Sequence, residues 1–545
     1  MINLKGIGAS KGVAIGKAFI VKEQLAVINK KLIQNVDAEI KRLENAQEEA
    51  IIQLRKLQEH TLDSVGEEES LIFEVHQMIL QDEDFIGRIK EIIRTESVNA
   101  EYVVQCTSDE YSKIFDEMED PYMKERAADI RDISKRLIDI LIGIKGQSLF
   151  QLDRPAIIVA KDLWPSDTVQ MDKKNVVGFI TEEGAKTSHT AILARTMQIP
   201  AVVGVRDIFA SIKKGEEIII DGAEGNIFIN PDENIRNHWL ENQKEYKDAL
   251  EKLNRLKGTK SITKDGIEVK VNANIGMPED VEMALENDAE GIGLFRSEFL
   301  YMNSDKIPSE EVQFKAYKKV LEKMQDKPVI IRTLDIGGDK EIKYIKIPKE
   351  ENPFLGYRAI RISLDQVDLF KTQLRALLRA SIYGNLGIMF PMISTLEELR
   401  RAKIILAEVK KDLTNEKIPF SSQVEVGIMI ETPAAALISD ELAKEADFFS
   451  IGTNDLTQYT IAVDRMNAQV AYLYDTHHPA VLKLIELVIK NGHKENIWVG
   501  ICGEAAADLT LTEKFVAMGI DELSVSASSI LEIRQKIQGI DLKKS

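Results

Sequence analysis

Cysteine is almost missing from this chain. Cys106 and Cys502 are the only two in 545 residues, which excludes a disulfide framework and a zinc centre built on cysteines. Positive charge is in deficit: 71 lysines and arginines face 89 aspartates and glutamates, a formal net charge of -18. That balance argues against a nucleic-acid binder, a class that gathers basic surface. It suits a basic protein partner as it stands, and a small anionic substrate only where cations are collected locally. No run is long and apolar enough to span a bilayer, and Met1 to Phe19 lacks the apolar core of a signal segment. These absences predict a cytoplasmic protein that binds neither nucleic acid nor membrane.

Proline and glycine are scarce in one stretch only. From 21 to 147 the single proline is Pro121, while Val36, Ile40, Leu43, Ala50, Leu54 and Leu57 recur at helical spacing, as do Ile130, Ile133, Leu137, Ile140 and Ile144. This reads as a helical bundle. Residues 1–20 and 148–231 instead alternate short apolar strands with glycine turns, and together predict one α/β domain into which the bundle is inserted. Residues 232–260 read as a charged linker helix ending at Gly258. From 261 to 545, strand and helix alternate. Candidate strands at 268–273, 291–295, 329–334, 386–391, 424–430, 448–452, 497–501 and 522–525 fit a (β/α)8 barrel. The length gives a prior of three or four domains, so the fold class is multidomain α/β.

A barrel of this kind carries its functional residues at the C-terminal ends of its strands. Those positions hold Asn274, Arg296, Arg332, Met392, Glu431, Asn454, Asp455 and Cys502. Guanidinium forks match phosphate or carboxylate, so Arg296 and Arg332 are candidate anion ligands, with Arg358 and Arg465 nearby in sequence motifs of similar character. Glu431 and Asp455 fall on consecutive strands. Neighbouring carboxylates repel unless a cation lies between them, and Mg²⁺ takes one or two carboxylates plus substrate oxygens and water. The bland alternatives are rim salt bridges and a hydrogen-bonded carboxyl pair. Cys502 alone would more often be packing, but at the level of an anionic site a thiol can protonate the methylene carbon of an enol.

A second constellation is GAKTSHTAILAR, residues 184–195. Gly184 marks a turn, Thr187 and Ser188 resemble helix caps, and Ala191 to Leu193 open a helix. His189 then lies in the first helical turn, where the helix dipole disfavours imidazolium and favours the neutral nucleophile. The same backbone donors would stabilise an attached phosphoryl group. A polar cap is the ordinary reading of such a histidine.

With these segments in view, the chain resembles enzyme I of the bacterial phosphoenolpyruvate:sugar phosphotransferase system from end to end. The segments GIGASKGVAIGKA, ERAADIRDISKRL, GAKTSHTAILAR, NPFLGYRAIR, GIMIETPAA, SIGTNDLTQY and CGEAAAD carry the resemblance, with the strand-end arginines. It implies a swivelling phosphohistidine domain with an inserted helical bundle, then a phosphoenolpyruvate-binding barrel through which a homodimer forms. His189 is implied as the phosphorylated residue and Thr168 as its hydroxyl partner. Arg296, Arg332, Asn454 and Arg465 would hold phosphoenolpyruvate, Glu431 and Asp455 Mg²⁺, and Cys502 the proton for the enolpyruvate. The bundle would dock the histidine-phosphocarrier protein HPr around Glu67, Glu68, His76, Met78, Leu80, Asp82 and Asp84, where a solvated acidic face is the plain alternative.

Three departures stand out. Ala185 follows Gly184 where the family commonly has a second glycine, Lys11 stands where it has proline, and Ala505-Ala506-Ala507 follows Glu504 where it reads methionine, alanine, glycine. None removes a group the chemistry needs. The rival readings are a pyruvate phosphate dikinase-like enzyme, for which residues 21–147 are too short and too helical to supply an ATP-grasp domain, and a barrel lyase acting on pyruvate enolate, against which the TSHTAIL segment speaks. A carrier-binding regulatory relic is the third, and the complete residue set argues against decay.

Overall fold

The computed structural model describes residues 1–21, 28–64, 67–116, 121–143, 155–163, 175–184, 189–196, 199–302 and, with short breaks at 303, 305, 339–341, 343, 346, 349 and 468, continues to 544. At 60–64, 67–71, 116, 121–126, 128, 189, 192, 193 and 196 the description is of the backbone alone. The chain divides into two compact units, Met1–Ala249 and Leu250–Ser545.

The first unit contains an eight-stranded sheet of β1 (Ile2–Lys5), β2 (Ile7–Ser10), β3 (Val13–Ile20), β4 (Ala156–Ala160), β5 (Val176–Thr181), β6 (Ala201–Val203), β7 (Glu217–Asp221) and β8 (Asn226–Ile229). Their order is β1-β8-β7-β3-β4-β5-β6-β2. β4 is buried along its whole length, as expected of a strand covered on both faces. Ile158 packs with Ala191 and Ala194 on one side, and Ile157 and Val159 with Ile218 and Ile220 on the other. β3 and β4 are parallel neighbours, Lys17 opposite Ala156. All the helical sequence between them therefore leaves and returns at one place in the sheet. It forms α1 (Val36–Ser64), α2 (Glu67–Gln81), α3 (Arg88–Glu96), α4 (Ala100–Asp116) and α5 (Pro121–Ile142), with a π turn at Glu83–Gly87. Leu43, Ala50 and Leu54 of α1, Phe73 and Leu80 of α2, Val104 of α4 and Ile133 and Leu137 of α5 share its core, the i, i+3, i+4 faces read from the sequence.

Helix Glu233–Asn254 crosses the junction between the units and buries none of its residues fully. Trp239 lies against Phe228 of β8, ring centroids 5.4 Å apart.

In the second unit, β9 (Lys270–Ile275), β10 (Ile292–Arg296), β11 (Pro328–Arg332), β12 (Asn385–Phe390), β13 (Glu425–Ile430), β14 (Phe448–Gly452), β15 (Trp498–Cys502) and β16 (Glu522–Ser526) close into a barrel in chain order. Every pairing is parallel. Alternate residues divide cleanly. Phe295, Ile331, Ile388, Ile428, Ile451 and Ile501 join the helices outside, while Leu294, Ile330, Met389, Met429, Phe448 and Cys502 fill the inside. Phe448 and Trp498 stack 4.5 Å apart, and a Cβ at Gly427 would come within 2.4 Å of the Phe448 ring, so that position has room only for glycine.

β14 matches its expected range, and the other seven strands differ from theirs by one or two residues, in two cases for a visible local reason. Glu268 is drawn into a separate bridge with Ile262 before the barrel begins. β11 ends at Arg332 although Thr333 N still donates to Met389 O at 2.9 Å, and Leu334 leaves the ladder because its N–H goes to the Gln373 side chain, at 2.9 Å.

Candidate active site

Parallel closure puts all eight C-terminal strand ends on one rim. Arg296 and Arg332 are register partners at the ends of β10 and β11. Glu431 follows β13, Asn454 and Asp455 lie in the helix Thr453–Ile461 that follows β14, and Cys502 ends β15. These residues, with Asn274, Arg358 and Arg465, line one cavity of about 730 Å³. Met392 does not line it. Its N–H donates to Glu431 Oε1 at 2.6 Å, and its φ of 54° is a left-handed conformation uncommon for a side chain of this size.

Beneath the rim runs a buried ionic network that sequence reasoning missed. Arg332 Nη2 lies 2.5 Å from Glu298 Oε1 and 3.0 Å from Asp335 Oδ2. Arg358 Nη2 lies 3.0 Å from Asp335 Oδ1 and 3.4 Å from Asp455 Oδ2, and its Nη1 donates to Tyr459 OH at 3.0 Å. Arg465 Nη2 reaches Asp455 Oδ1 at 3.8 Å. Asp335 thus bridges two arginines. The signal was present in FRSEF and LDIGGDK, where an acid follows each strand-end arginine by two or three residues, but nothing in the sequence says that those acids turn inward.

Several polar atoms here have no hydrogen-bond partner among the described residues. Arg332 Nε, Arg358 Nε and Arg465 Nη1 are buried donors without acceptors, and Asp455 Oδ1 is a buried acceptor without a hydrogen bond. Such atoms are costly unless a ligand completes them. The set fits an anion on the arginines and a hard cation on the carboxylates. Two carboxylates leave the remaining positions of such a cation to substrate and water.

Burial pushes the Glu431 carboxyl up to about 8, helped by the neighbouring charges of Asp455 and Asp335. This is the repulsion that a bound cation relieves. Burial also raises the Cys502 thiol to about 11, so it holds its proton at neutral pH. Its sulfur accepts from Ser450 Oγ at 3.3 Å and lies 3.6 Å from Ile451 O. Burial opposes the charge of Arg332 and Arg358, but the carboxylates of Glu298, Asp335 and Asp455 outweigh it, and both guanidinium groups stay charged.

In the first unit, helix α6 (His189–Thr196) begins at His189, and Gly184 before it has φ +111°. Thr190 Oγ1 donates to Asp162 Oδ1 at 3.2 Å and Arg195 Nη1 to Ala9 O at 3.1 Å, fixing both ends of the helix. The His189 side chain and all of Thr168, Thr187 and Ser188 lie outside the described residues, as do the side chains of Glu67 and Glu68. Of the remaining docking candidates, Met78, Asp82 and Asp84 are exposed, and Asp82 caps Asp84 N at 2.8 Å. His76 and Leu80 are corrected: both are fully buried on the inner face of α2. His76 Nε2 is 3.1 Å from Asp129 Oδ1, so neither offers its side chain to a partner.

The chain matches three family models of PEP-utilising enzymes: the N-terminal domain over residues 5–126, the mobile domain over 152–225 and the PEP-binding domain over 250–542. It is 48% identical over 535 residues to a Geobacillus stearothermophilus protein named phosphoenolpyruvate-protein phosphotransferase, covering 98% of this chain and 93% of that one. To the Bacillus subtilis protein of the same name it is 47% identical over 545 residues, covering 100% and 96%. A solution structure of an Enzyme I (nEIt) protein is similar at 38% identity, covering 45% of this chain and 99% of that one, with a TM-score of 0.41.

Proposed function

This chain belongs to the phosphoenolpyruvate-protein phosphotransferases, and from that premise we propose that His189 takes the phosphoryl group and that the rim residues of the barrel bind and activate its donor. The enzyme transfers a phosphoryl group from phosphoenolpyruvate to protein. The observation that carries the residue-level reading is a cavity in which Arg332, Arg358 and Arg465, each with a buried donor that has no acceptor among the described residues, meet the paired carboxylates Glu431 and Asp455.

In this reading Arg296, Arg332, Arg358, Arg465 and Asn454 hold the carboxylate and phosphate of phosphoenolpyruvate, and Arg358 also keeps Asp455 in place. Glu431 and Asp455 hold Mg²⁺, which when bound neutralises charge on the phosphoryl oxygens. The work of the protein in such a transfer is positioning and charge neutralisation. The His189 ring attacks phosphorus in line, and the P–O bond to the enol oxygen breaks. Cys502 then gives its Sγ proton to C3 of the departing enolpyruvate, which becomes pyruvate. Thr168 is proposed as the hydroxyl partner of His189.

The proposed domains are 1–20 with 148–231 for the phosphohistidine, 21–147 for the carrier, 232–260 for the linker and 261–545 for the barrel. The carrier is HPr, docked on the bundle near the exposed Met78, Asp82 and Asp84. The assembly is a cytoplasmic homodimer formed through the barrel. Among the described residues no helix is long and apolar enough to cross a membrane.

Incubation with phosphoenolpyruvate labelled in its phosphate, with and without Mg²⁺, tests the reading. Acid-labile label on the wild type, dependent on Mg²⁺ and absent from His189→Ala, is expected. Label that persists in His189→Ala would move the phosphorylation to another residue.

A further inference from the structure

Gln373 stands on the helix Val367–Ala380 among Phe370, Leu374 and Leu377, and is itself only 1% exposed. A leucine there would extend the apolar face, and a buried amide is unfavourable unless its polar atoms find partners. Here they do. Its Oε1 accepts from Leu334 N at 2.9 Å, and its Nε2 donates to Ser297 Oγ at 2.9 Å and to Tyr317 OH at 3.1 Å. Ser297 Oγ in turn donates to the carbonyl of Arg332 at 2.6 Å. Behind them Tyr317 OH donates to Gln313 Oε1 at 3.1 Å. Ser297, Gln313 and Tyr317 are fully buried.

The placement of this network is specific. Ser297 directly follows Arg296, the last residue of β10, and Leu334 comes just after Arg332, the last residue of β11. Beyond that register pair the ladder between the two strands ends, and Thr333 N turns instead to Met389 O of β12. Where the strands part, the Ser297 hydroxyl and the Gln373 amide are what tie one end to the other. The neighbouring Glu298 holds the Arg332 guanidinium itself, so consecutive residues of β10's exit grip both the backbone and the side chain of the facing arginine. Neither Ser297 nor Gln373 lines the cavity.

We propose that Ser297 and Gln373 are positioning residues that set the separation of Arg296 and Arg332, and through it the grip on the two anionic ends of phosphoenolpyruvate. The inference rests on the reading of those arginines given under Proposed function. Two forks that must meet the two anionic groups of one small, rigid substrate tolerate little displacement, because bidentate recognition depends on angle as well as distance. A network that only satisfied buried backbone groups would change stability and leave substrate affinity alone.

The test uses the full-length protein with HPr as acceptor and compares Ser297→Ala, Gln373→Met and Arg332→Lys with the wild type by thermal unfolding and by pyruvate release. For Ser297→Ala and Gln373→Met, KM for phosphoenolpyruvate should rise roughly ten- to a hundredfold while kcat changes by about threefold or less. The double variant should be little worse than the poorer single one, because the two residues act through one connection. KM within about twofold of wild type in a folded Ser297→Ala or Gln373→Met variant, whatever its melting temperature, overturns the inference. If Arg332→Lys also leaves KM unchanged, the arginine reading itself is wrong. If Arg332→Lys raises KM and the other two do not, only the positioning role is lost. Should one variant fail to fold, the other carries the same comparison.

Discussion

Arg332, Arg358, Glu298 and Asp335 of the barrel are buried side by side and joined directly to one another, whereas ion pairs of the helical bundle such as Lys30–Glu96 and Arg88–Glu91 lie in the open. Exposed pairs contribute from nothing to about 1 kcal/mol. Buried ones carry a desolvation cost that good geometry only just offsets, and apolar residues in their place would often do as well for stability. A fold does not need the barrel's arrangement for its own sake. The contrast teaches that buried, mutually joined arginines and carboxylates, more than the number of charges, mark the region proposed to bind a small anion, while the exposed pairs belong to the region proposed to meet a protein.

That contrast can be broken at several points, and the largest effect should come from the carboxylates proposed to hold Mg²⁺. Glu431→Gln should lower phosphoryl transfer on the order of a thousandfold, since a Lewis-acid contribution of several kcal/mol goes with the carboxylate. Initial-rate labelling of the protein over a Mg²⁺ series would measure it, and a residual rate insensitive to Mg²⁺ is expected.

Asp335→Ala removes the acid shared by Arg332 and Arg358 and should cost about 3–5 kcal/mol of barrel stability, read by urea unfolding. Lys30→Ala in the bundle should leave the urea midpoint almost unchanged in the same assay. Equal costs would erase the distinction between the two regions.

A third test uses Glu522, a carboxyl inside the barrel that burial pushes up to about 7. Below pH about 4.5 it is protonated in folded and unfolded chains alike. Between there and about 7 the unfolded chain ionises first, so stability falls as pH rises, by roughly 3 kcal/mol once the folded group has also ionised. Glu522→Gln should flatten that decline and be the more stable protein at pH 8. A wild-type pH profile unchanged by the substitution would show that the carboxyl titrates normally.

The smallest effect belongs to the open surface. Met78→Ala should raise the KM for HPr by about tenfold with no change in labelling by phosphoenolpyruvate alone. His76→Gln should act on melting temperature first, because His76 faces Asp129 inside the bundle.

Much of the fold was legible because its periodicities are local. The 3.6-residue rhythm of Val36 to Leu57 and the scarcity of proline sufficed for the bundle, and eight apolar runs separated by amphipathic stretches sufficed for the barrel. Its strand ends, Arg296, Arg332, Glu431 and Cys502, could be read from the rule that parallel strands expose their chemistry at one end. The docking face was harder. FEVHQMILQDED shows which residues are near one another along α2 but not which side meets α5, and so His76 and Leu80 were grouped with exposed neighbours from which the helix turn separates them.

By itself, then, the sequence determined the elements, their order and the residue types at each strand end, since these follow from spacing along a single chain. Only the tertiary structure decided that Asp335 turns inward to bridge Arg332 and Arg358, that Ser297 and Gln373 tie two strand ends together, and that Glu522 lies inside the barrel. Each of those outcomes depends on which distant segment fills the space opposite, and that is settled by closure of the barrel and packing of helices on it rather than by any local preference of the residues concerned.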